Sequence, residues 1–161
     1  MTPWLQVCLA LELAGFDPAV LESVPTGDDA QGEFSVLLEL SEDSSLLRLE
    51  HDPRSALLTV SVCLPGSVLR PRHATLALQA NHVLDATLGR FSMDPISHAL
   101  CLTRTSTLGE DDLEPLARSL LEMQRLVSQV HQAAMQSEVD SLAAAEAPAH
   151  APLPMGGLLR A

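Results

Sequence analysis

The histidines and cysteines of this sequence have side chains that could bind metal or take part in catalysis, but their spacing argues against both roles. The six histidines are scattered, and no two lie four residues apart with a glutamate between them, as a metal-binding helix requires. No two of the three cysteines have the spacing of a zinc site. A nucleophile elbow, a glycine-rich phosphate loop and a dinucleotide fingerprint are also missing. We therefore expect no catalytic residue, no metal and no cofactor.

The acidic pairs Asp28-Asp29 and Asp111-Asp112 are the remaining candidates for catalytic chemistry. The first pair lies in a polar turn, and the second precedes an apolar helical pattern, where aspartate commonly caps the helix. Both pairs therefore have structural explanations, and we expect that the protein is not an enzyme. A small α+β enzyme whose site is assembled from distant positions stays open as an alternative.

Cys8, Cys63 and Cys101 each lie inside an apolar run, and their number is odd. This pattern favours buried thiols in a reducing compartment over disulfides, and so indicates the cytoplasm. The apolar stretch at residues 4–16 contains Glu12 and has no basic residue before it, so we expect neither a signal peptide nor a membrane-spanning segment.

The charge of the chain limits its partners. The formal net charge is −12, and all nine basic residues are arginine. Such a surface repels phosphate backbones and anionic lipids, so we expect no nucleic acid and no membrane partner. A neutral or basic protein partner is favoured.

The order of hydrophobic patterns predicts one α+β domain at residues 1–135, followed by a flexible tail rich in alanine and proline at 136–161. Three runs of alternating apolar residues predict strands that must pair antiparallel, because the turns between them are short. The predicted order is α-β-β-β-α-β-β-α, giving an antiparallel sheet of about five strands and three main helices. We expect helices at 3–14, 71–88 and from 113, a short helical turn at 17–23, and strands at 33–41, 46–51, 57–64, 89–92 and 98–105.

Two of the predicted helices carry apolar stripes that should pack on the sheet. In the last helix the stripe consists of Leu113, Leu116, Leu120, Met123, Val127 and Val130. In the middle helix it consists of Leu76, Ala80, Val83, Leu84 and Thr87. Leu78 lies on the opposite side of that helix, where core packing does not explain it.

Residues 76–123 resemble the second half of the class I type III secretion chaperones, the Tir-chaperone family. The likeness rests on the Ala80-Asn81 dipeptide, the Thr87-Leu88-Gly89 motif, the turn at Asp94-Pro95, a leucine-rich strand and a helix with an acidic start. With the order of elements it covers about residues 4–134. After the first helix, residues 14–18 depart from the turn that is common in the family.

The resemblance implies a homodimer in the bacterial cytoplasm that binds the N-terminal segment of a secreted effector protein. The segment would be held as an extended chain, competent for secretion, without ATP. A dimeric regulator or interaction module of the same fold is the alternative.

Apolar side chains outside the predicted core are candidates for two contact surfaces. Trp4, Leu37 and Leu46 are predicted to bind the effector, because the first helix and the sheet retain apolar groups after one core is filled. Leu78 and Phe91 lie away from the predicted core stripes, and the resemblance points to the same two elements as the dimer interface. The competing interpretation of Trp4, Leu37 and Leu46 is that they pack beneath loops.

Overall fold

The computed structural model of the chain describes residues 2–16, 32–40, 45–108 and 113–146, with side chains up to residue 137 in the last range. The helical turn expected at 17–23, both acidic pairs and the end of the predicted tail lie outside the described residues.

The five described strands form one antiparallel sheet in the order β1-β2-β3-β5-β4. The strands are β1 (Phe34–Leu40), β2 (Ser45–Asp52), β3 (Leu57–Leu64), β4 (Arg90–Met93) and β5 (Leu100–Thr107). With three helices in the predicted order, the α+β fold class is confirmed. In β1 and β2 every second side chain is buried, which places the apolar set on one face of the sheet.

Helix α1 (Pro3–Leu13) has defined signals at both ends. The Thr2 hydroxyl accepts a hydrogen bond from the Leu5 amide, and Pro3 occupies the first turn, where a missing amide costs nothing. The helix is followed by Gly15 at a φ of 80°, a conformation that glycine adopts without a steric penalty. The spacing of apolar residues and the glycine after them thus explain where the helix ends.

Helix α2 (Pro71–Val83) ends five residues before the predicted position. Leu84 leaves the helical conformation, and a short 3-10 turn follows at Ala86–Leu88. The prediction that Val83 faces the core is wrong, because its side chain is 85% exposed at the helix end. The buried positions of α2 are His73 and Ala77.

The core lies between the inner face of the sheet and helix α3 (Leu113–Glu146), and α3 also contacts α1 and α2. The predicted stripe of α3 is buried from Leu116 to Val130, with Ala134 one turn further. His73 Nε2 and His131 Nδ1 lie 3.0 Å apart in a hydrogen bond that joins α2 to α3.

Helix α3 continues to Glu146, past the point near Gln136 where we expected regular structure to end. The apolar period stops there, but the alanines and glutamates that follow are good helix formers, which favours a helical backbone. The domain boundary at 135/136 stays a prediction.

Candidate partner-binding site

The face of the sheet opposite the helices carries the side chains that alternate with the core residues. Leu37, Arg48, Ser61 and Thr103 are successive partners across β1, β2, β3 and β5. The neighbouring row contains Leu46, Cys63 and Cys101. We call this surface the outer face. Leu37 is 59% exposed there, and with Leu46 and Met93 it lines one continuous surface depression.

A cavity of about 590 Å³ crosses the outer face, and all five strands contribute residues to its lining. Leu37 and Leu46 line it from β1 and β2, and Met93 lines it from β4. The segment after β4, which includes Pro95, forms one wall. The result is a shallow, mainly apolar trough across the strands, large enough for several side chains of a peptide.

Three directly opposed side-chain pairs join β3 to β5 on the outer face. The Thr59 and Thr105 hydroxyl oxygens are 3.4 Å apart, and those of Ser61 and Thr103 are 3.0 Å apart. The third pair is Cys63 and Cys101, which form a disulfide. The pairs line up because β3 and β5 are paired over their whole length.

The disulfide corrects the expectation that all three cysteines are thiols. Cys63 and Cys101 are 38 residues apart in sequence but face each other in the ladder, with their Cα atoms separated by 4.1 Å. This close approach is typical of a non-hydrogen-bonded antiparallel pair. Cys8 on α1 is a free thiol, and burial raises its pKa, as expected for a cysteine in apolar surroundings.

The rim of the cavity carries charges of both signs. Arg48 forms an ion pair with Glu50 on the same strand face, at 2.5 Å. Asp94 lies at the other side of the cavity and accepts hydrogen bonds from the amides of Ser97 (2.9 Å) and Ile96 (2.8 Å). These two backbone hydrogen bonds hold the pKa of the Asp94 carboxyl below its usual value, and the positive charge of Arg48 lowers it further.

The structure brings Leu37 and Leu46 together in the cavity, as one surface would require. Trp4 lies elsewhere. Its ring packs edge-on against Phe34, with centroids 5.3 Å apart, and Phe34 is buried on the inner face. Because Phe34 also stacks on His51, Trp4 belongs to an aromatic group at one end of the helical layer. The three predicted effector-binding residues therefore lie on two sides of the sheet.

Leu78 and Phe91 differ sharply in exposure. Leu78 is 65% exposed on α2, as its position on the helical wheel predicts. Phe91 is only 6% exposed and belongs to the core, so the prediction that it lies outside the core is wrong. Its strand has four residues, too few for alternation to identify the buried face.

Other exposed apolar side chains near α2 and β4 were missed by the sequence analysis. They are Val83 at the end of α2, Met93 at the end of β4, and Ile96 in the following turn. The apolar stripe of the middle helix predicts a core position for Val83, and Met93 and Ile96 flank the Asp94-Pro95 turn, where the sequence pattern gives no sign of a surface. With Leu78 they give α2, β4 and the following turn four exposed large apolar side chains, and α2 packs against β4.

Within the described ranges, no three histidine, cysteine, aspartate or glutamate side chains come close enough to hold a metal ion. No helix in the same ranges is both long and apolar enough to cross a bilayer.

Comparison with known proteins identifies a similar fold but no sequence family. No family profile matches the chain, and no curated protein is similar to it in sequence. Among solved structures, a chain in the crystal structure of the ExsC-ExsE complex is similar, with a TM-score of 0.57 and 18% sequence identity. The match covers 83% of this chain and 97% of the other, so nearly the whole solved chain has its counterpart here. At this identity the likeness shows the shared fold.

Proposed function

We propose that this protein is a chaperone of the class I type III secretion kind, which binds the N-terminal segment of a secreted effector protein on the outer face of its sheet. The observation that carries the proposal is the apolar cavity across all five strands, with Leu37 exposed and Leu46 beside it. A segment in extended form would place alternate side chains in this cavity, and backbone hydrogen bonds along a sheet edge would add affinity with little dependence on sequence.

Two further observations support the proposal. The sequence resembles the Tir-chaperone family over residues 76–123, and the fold is similar to a chain of a complex between two proteins, ExsC and ExsE. A chaperone of this kind binds its partner without catalysis, nucleotide or cofactor, and it acts in the bacterial cytoplasm. The net charge of −12 favours a neutral or basic segment. Long-range electrostatic attraction would increase the association rate of a basic segment.

We propose also that the protein is a homodimer joined through the α2/β4 end. Leu78, Val83, Met93 and Ile96 are the exposed apolar side chains of that end, and a symmetric contact would bury the same patch on both subunits. Obligate interfaces of this kind bury on the order of 2,000 Å² or more. Phe91 would support such an interface from beneath, because it anchors β4 in the core.

The test of effector binding uses the N-terminal segment, some tens of residues long, of a secreted protein encoded beside this gene. Its affinity is measured by isothermal titration for the wild type and for Leu37→Asp and Leu46→Asp. Leu13→Asp is the matched control, because Leu13 is 64% exposed on α1 in the helical layer.

We expect each outer-face variant to weaken binding at least tenfold, which corresponds to about 1.4 kcal/mol, and the control to bind as the wild type does. Circular dichroism and light scattering verify that the variants are folded and keep the same mass. Folded Leu37→Asp and Leu46→Asp proteins with unchanged affinity would refute the proposed surface.

A further inference from the structure

The Cys63–Cys101 disulfide differs from an ordinary buried structural bridge in its surroundings. Both cysteines lie on the outer face and line the cavity, so the bond is at the floor of a space open to solvent. Cys63 is 8% exposed and Cys101 is partly exposed. Cys101, the more exposed of the two, is therefore the cysteine that a small reagent in the cavity should attack.

The positions of both cysteines are fixed by the sheet and not by their bond. Strands β3 and β5 pair along their whole length, so that the eight residues Leu57–Leu64 lie opposite the eight residues Leu100–Thr107. The Ser61–Thr103 hydrogen bond holds the adjacent pair of side chains. Two thiols at 63 and 101 would thus remain opposed after reduction, and the bond could form again without a search through chain conformations.

We propose that Cys63 and Cys101 form a reversible redox site, which dithiols reduce and small disulfides oxidise again through the cavity while the protein stays folded. The redox site does not depend on the effector-binding role. A reversible disulfide is consistent with the cytoplasm, because disulfides of cytosolic proteins are usually transient and redox-sensing.

The reduction is a two-electron exchange in two steps. One thiolate of the dithiol attacks Sγ of Cys101, the Cys63–Cys101 bond breaks, and the Cys63 sulfur leaves as a thiolate that takes a proton from water. The second thiolate of the reagent then attacks its own sulfur in the mixed disulfide, releasing Cys101 as a thiolate that is also protonated. The reagent ends as a cyclic disulfide. In the reverse direction a small disulfide accepts the two electrons and leaves as two thiols.

The experiment uses the full chain carrying Cys8→Ser, so that Cys63 and Cys101 are the only cysteines. The protein is incubated without denaturant at increasing concentrations of dithiothreitol, quenched with N-ethylmaleimide at set times and weighed by mass spectrometry. We expect two labels to appear together, at a rate proportional to the dithiothreitol concentration. Transfer to glutathione disulfide should remove both labelling sites again, with an unchanged circular dichroism spectrum.

Two results would overturn the inference. One is a reduction rate that does not depend on the dithiothreitol concentration and equals the unfolding rate, because access would then require unfolding. The other is a pair that stays reduced in excess glutathione disulfide.

Variants that keep one cysteine each supply an independent measurement of access. In Cys8→Ser/Cys63→Ser, Cys101 has no partner and should be trapped by glutathione disulfide as a mixed disulfide in the folded state. The same reagent should modify Cys101 much faster than it modifies Cys8 in Cys63→Ser/Cys101→Ser, because Cys101 lines the open cavity, whereas Cys8 does not and burial raises the pKa of its thiol. Equal or slower modification of Cys101 would contradict access through the cavity.

Discussion

The side-chain amide of Asn81 pairs with the backbone of Phe91 as a neighbouring strand would. Its Nδ2 donates to the Phe91 carbonyl at 2.9 Å, and its Oδ1 accepts from the Phe91 amide at 2.8 Å. These bonds occupy both backbone polar groups of Phe91 in β4, which is an edge strand of the sheet. Asn81 thus fastens α2 to the sheet and closes β4 at Phe91 to pairing with another strand.

Replacing Asn81 by alanine should therefore destabilise the protein. Both backbone groups of Phe91 would lose their partners in a partly buried place, and we expect the free energy of unfolding to fall by about 1–3 kcal/mol. Urea unfolding measures the change. Gln79→Ala is the control, because Gln79 is exposed on the same helix. Equal stability of the two variants would show that the amide contributes nothing to the fold.

Gly89 is required by the path of the chain into β4. Its φ of 103° and ψ of −167° belong to a region that essentially only glycine occupies, and an added Cβ would lie 2.5 Å from the Thr103 carbonyl oxygen. Gly89→Ala should lower the free energy of unfolding by roughly 2–4 kcal/mol.

Gly15→Ala separates the cost of a positive φ from the cost of the steric clash. Gly15 also has a positive φ, but no atom lies within 4 Å of the added Cβ. We expect a cost of only about 1–2 kcal/mol there. Thermal melts of both variants give the comparison, and a loss at residue 89 no larger than at residue 15 would exclude the clash.

A charge in the α2/β4 patch should dissociate the proposed dimer. Leu78→Asp would place a carboxylate in an apolar contact, and we expect the dimer dissociation constant to rise at least a hundredfold, which is about 2.7 kcal/mol. Sedimentation velocity over a concentration series measures it. Leu13→Asp, equally exposed but on α1, should leave the mass unchanged. A wild type that is monomeric at micromolar concentration would contradict the prediction.

The chain after Gln136 should be dispensable for the fold. Ala134 is the last fully buried residue described, the side chains at 135 and 136 are exposed, and Ser137, just past the cut, is only partly buried. Truncation after Gln136 should leave the melting temperature and the mass of the assembly unchanged. Truncation after Gln129 would also remove Val130 and Ala134 from the core and should cost about 2–4 kcal/mol. A large drop in melting temperature after the first cut would mean that later residues dock on the domain.

The Asp94 carboxylate should make the β4–β5 turn sensitive to acid. Because its pKa is lowered in the folded protein by the amides of Ser97 and Ile96, the ionised form stabilises the fold above the carboxyl's ordinary pKa. That contribution disappears as the pH falls through the lowered value. We expect Asp94→Asn to be less stable than the wild type at pH 7, with the difference shrinking below about pH 4. Urea titrations at a series of pH values measure the difference, and one that is constant with pH would refute the role of the charge.

The strands and helices were predictable because their apolar periods are long and regular, as in β1 and α3. The burial of residues in short strands or at helix ends was not predictable. Phe91 lies in a four-residue strand, and Val83 lies at the end of a helix whose apolar period continues past the point where the backbone turns. The Cys63–Cys101 pair depends on the register between strands separated by a helix, which spacing along the sequence does not encode. Leu37 was identified correctly as exposed because it interrupts the alternation of a long strand.

The paired hydroxyls between β3 and β5 change how the outer face would behave towards an approaching chain. Serine and threonine in a strand suggest a well-hydrated surface, yet Ser61 bonds to Thr103, and Thr59 lies within reach of Thr105. When water is removed from the surface, a hydroxyl that is hydrogen-bonded to another side chain loses less hydrogen-bonding energy than a hydroxyl that is bonded only to water. The desolvation penalty of this face is therefore smaller than its composition suggests, and the threonine methyl groups add to its apolar area. A hydropathy scale would underestimate how readily such a surface can become dry.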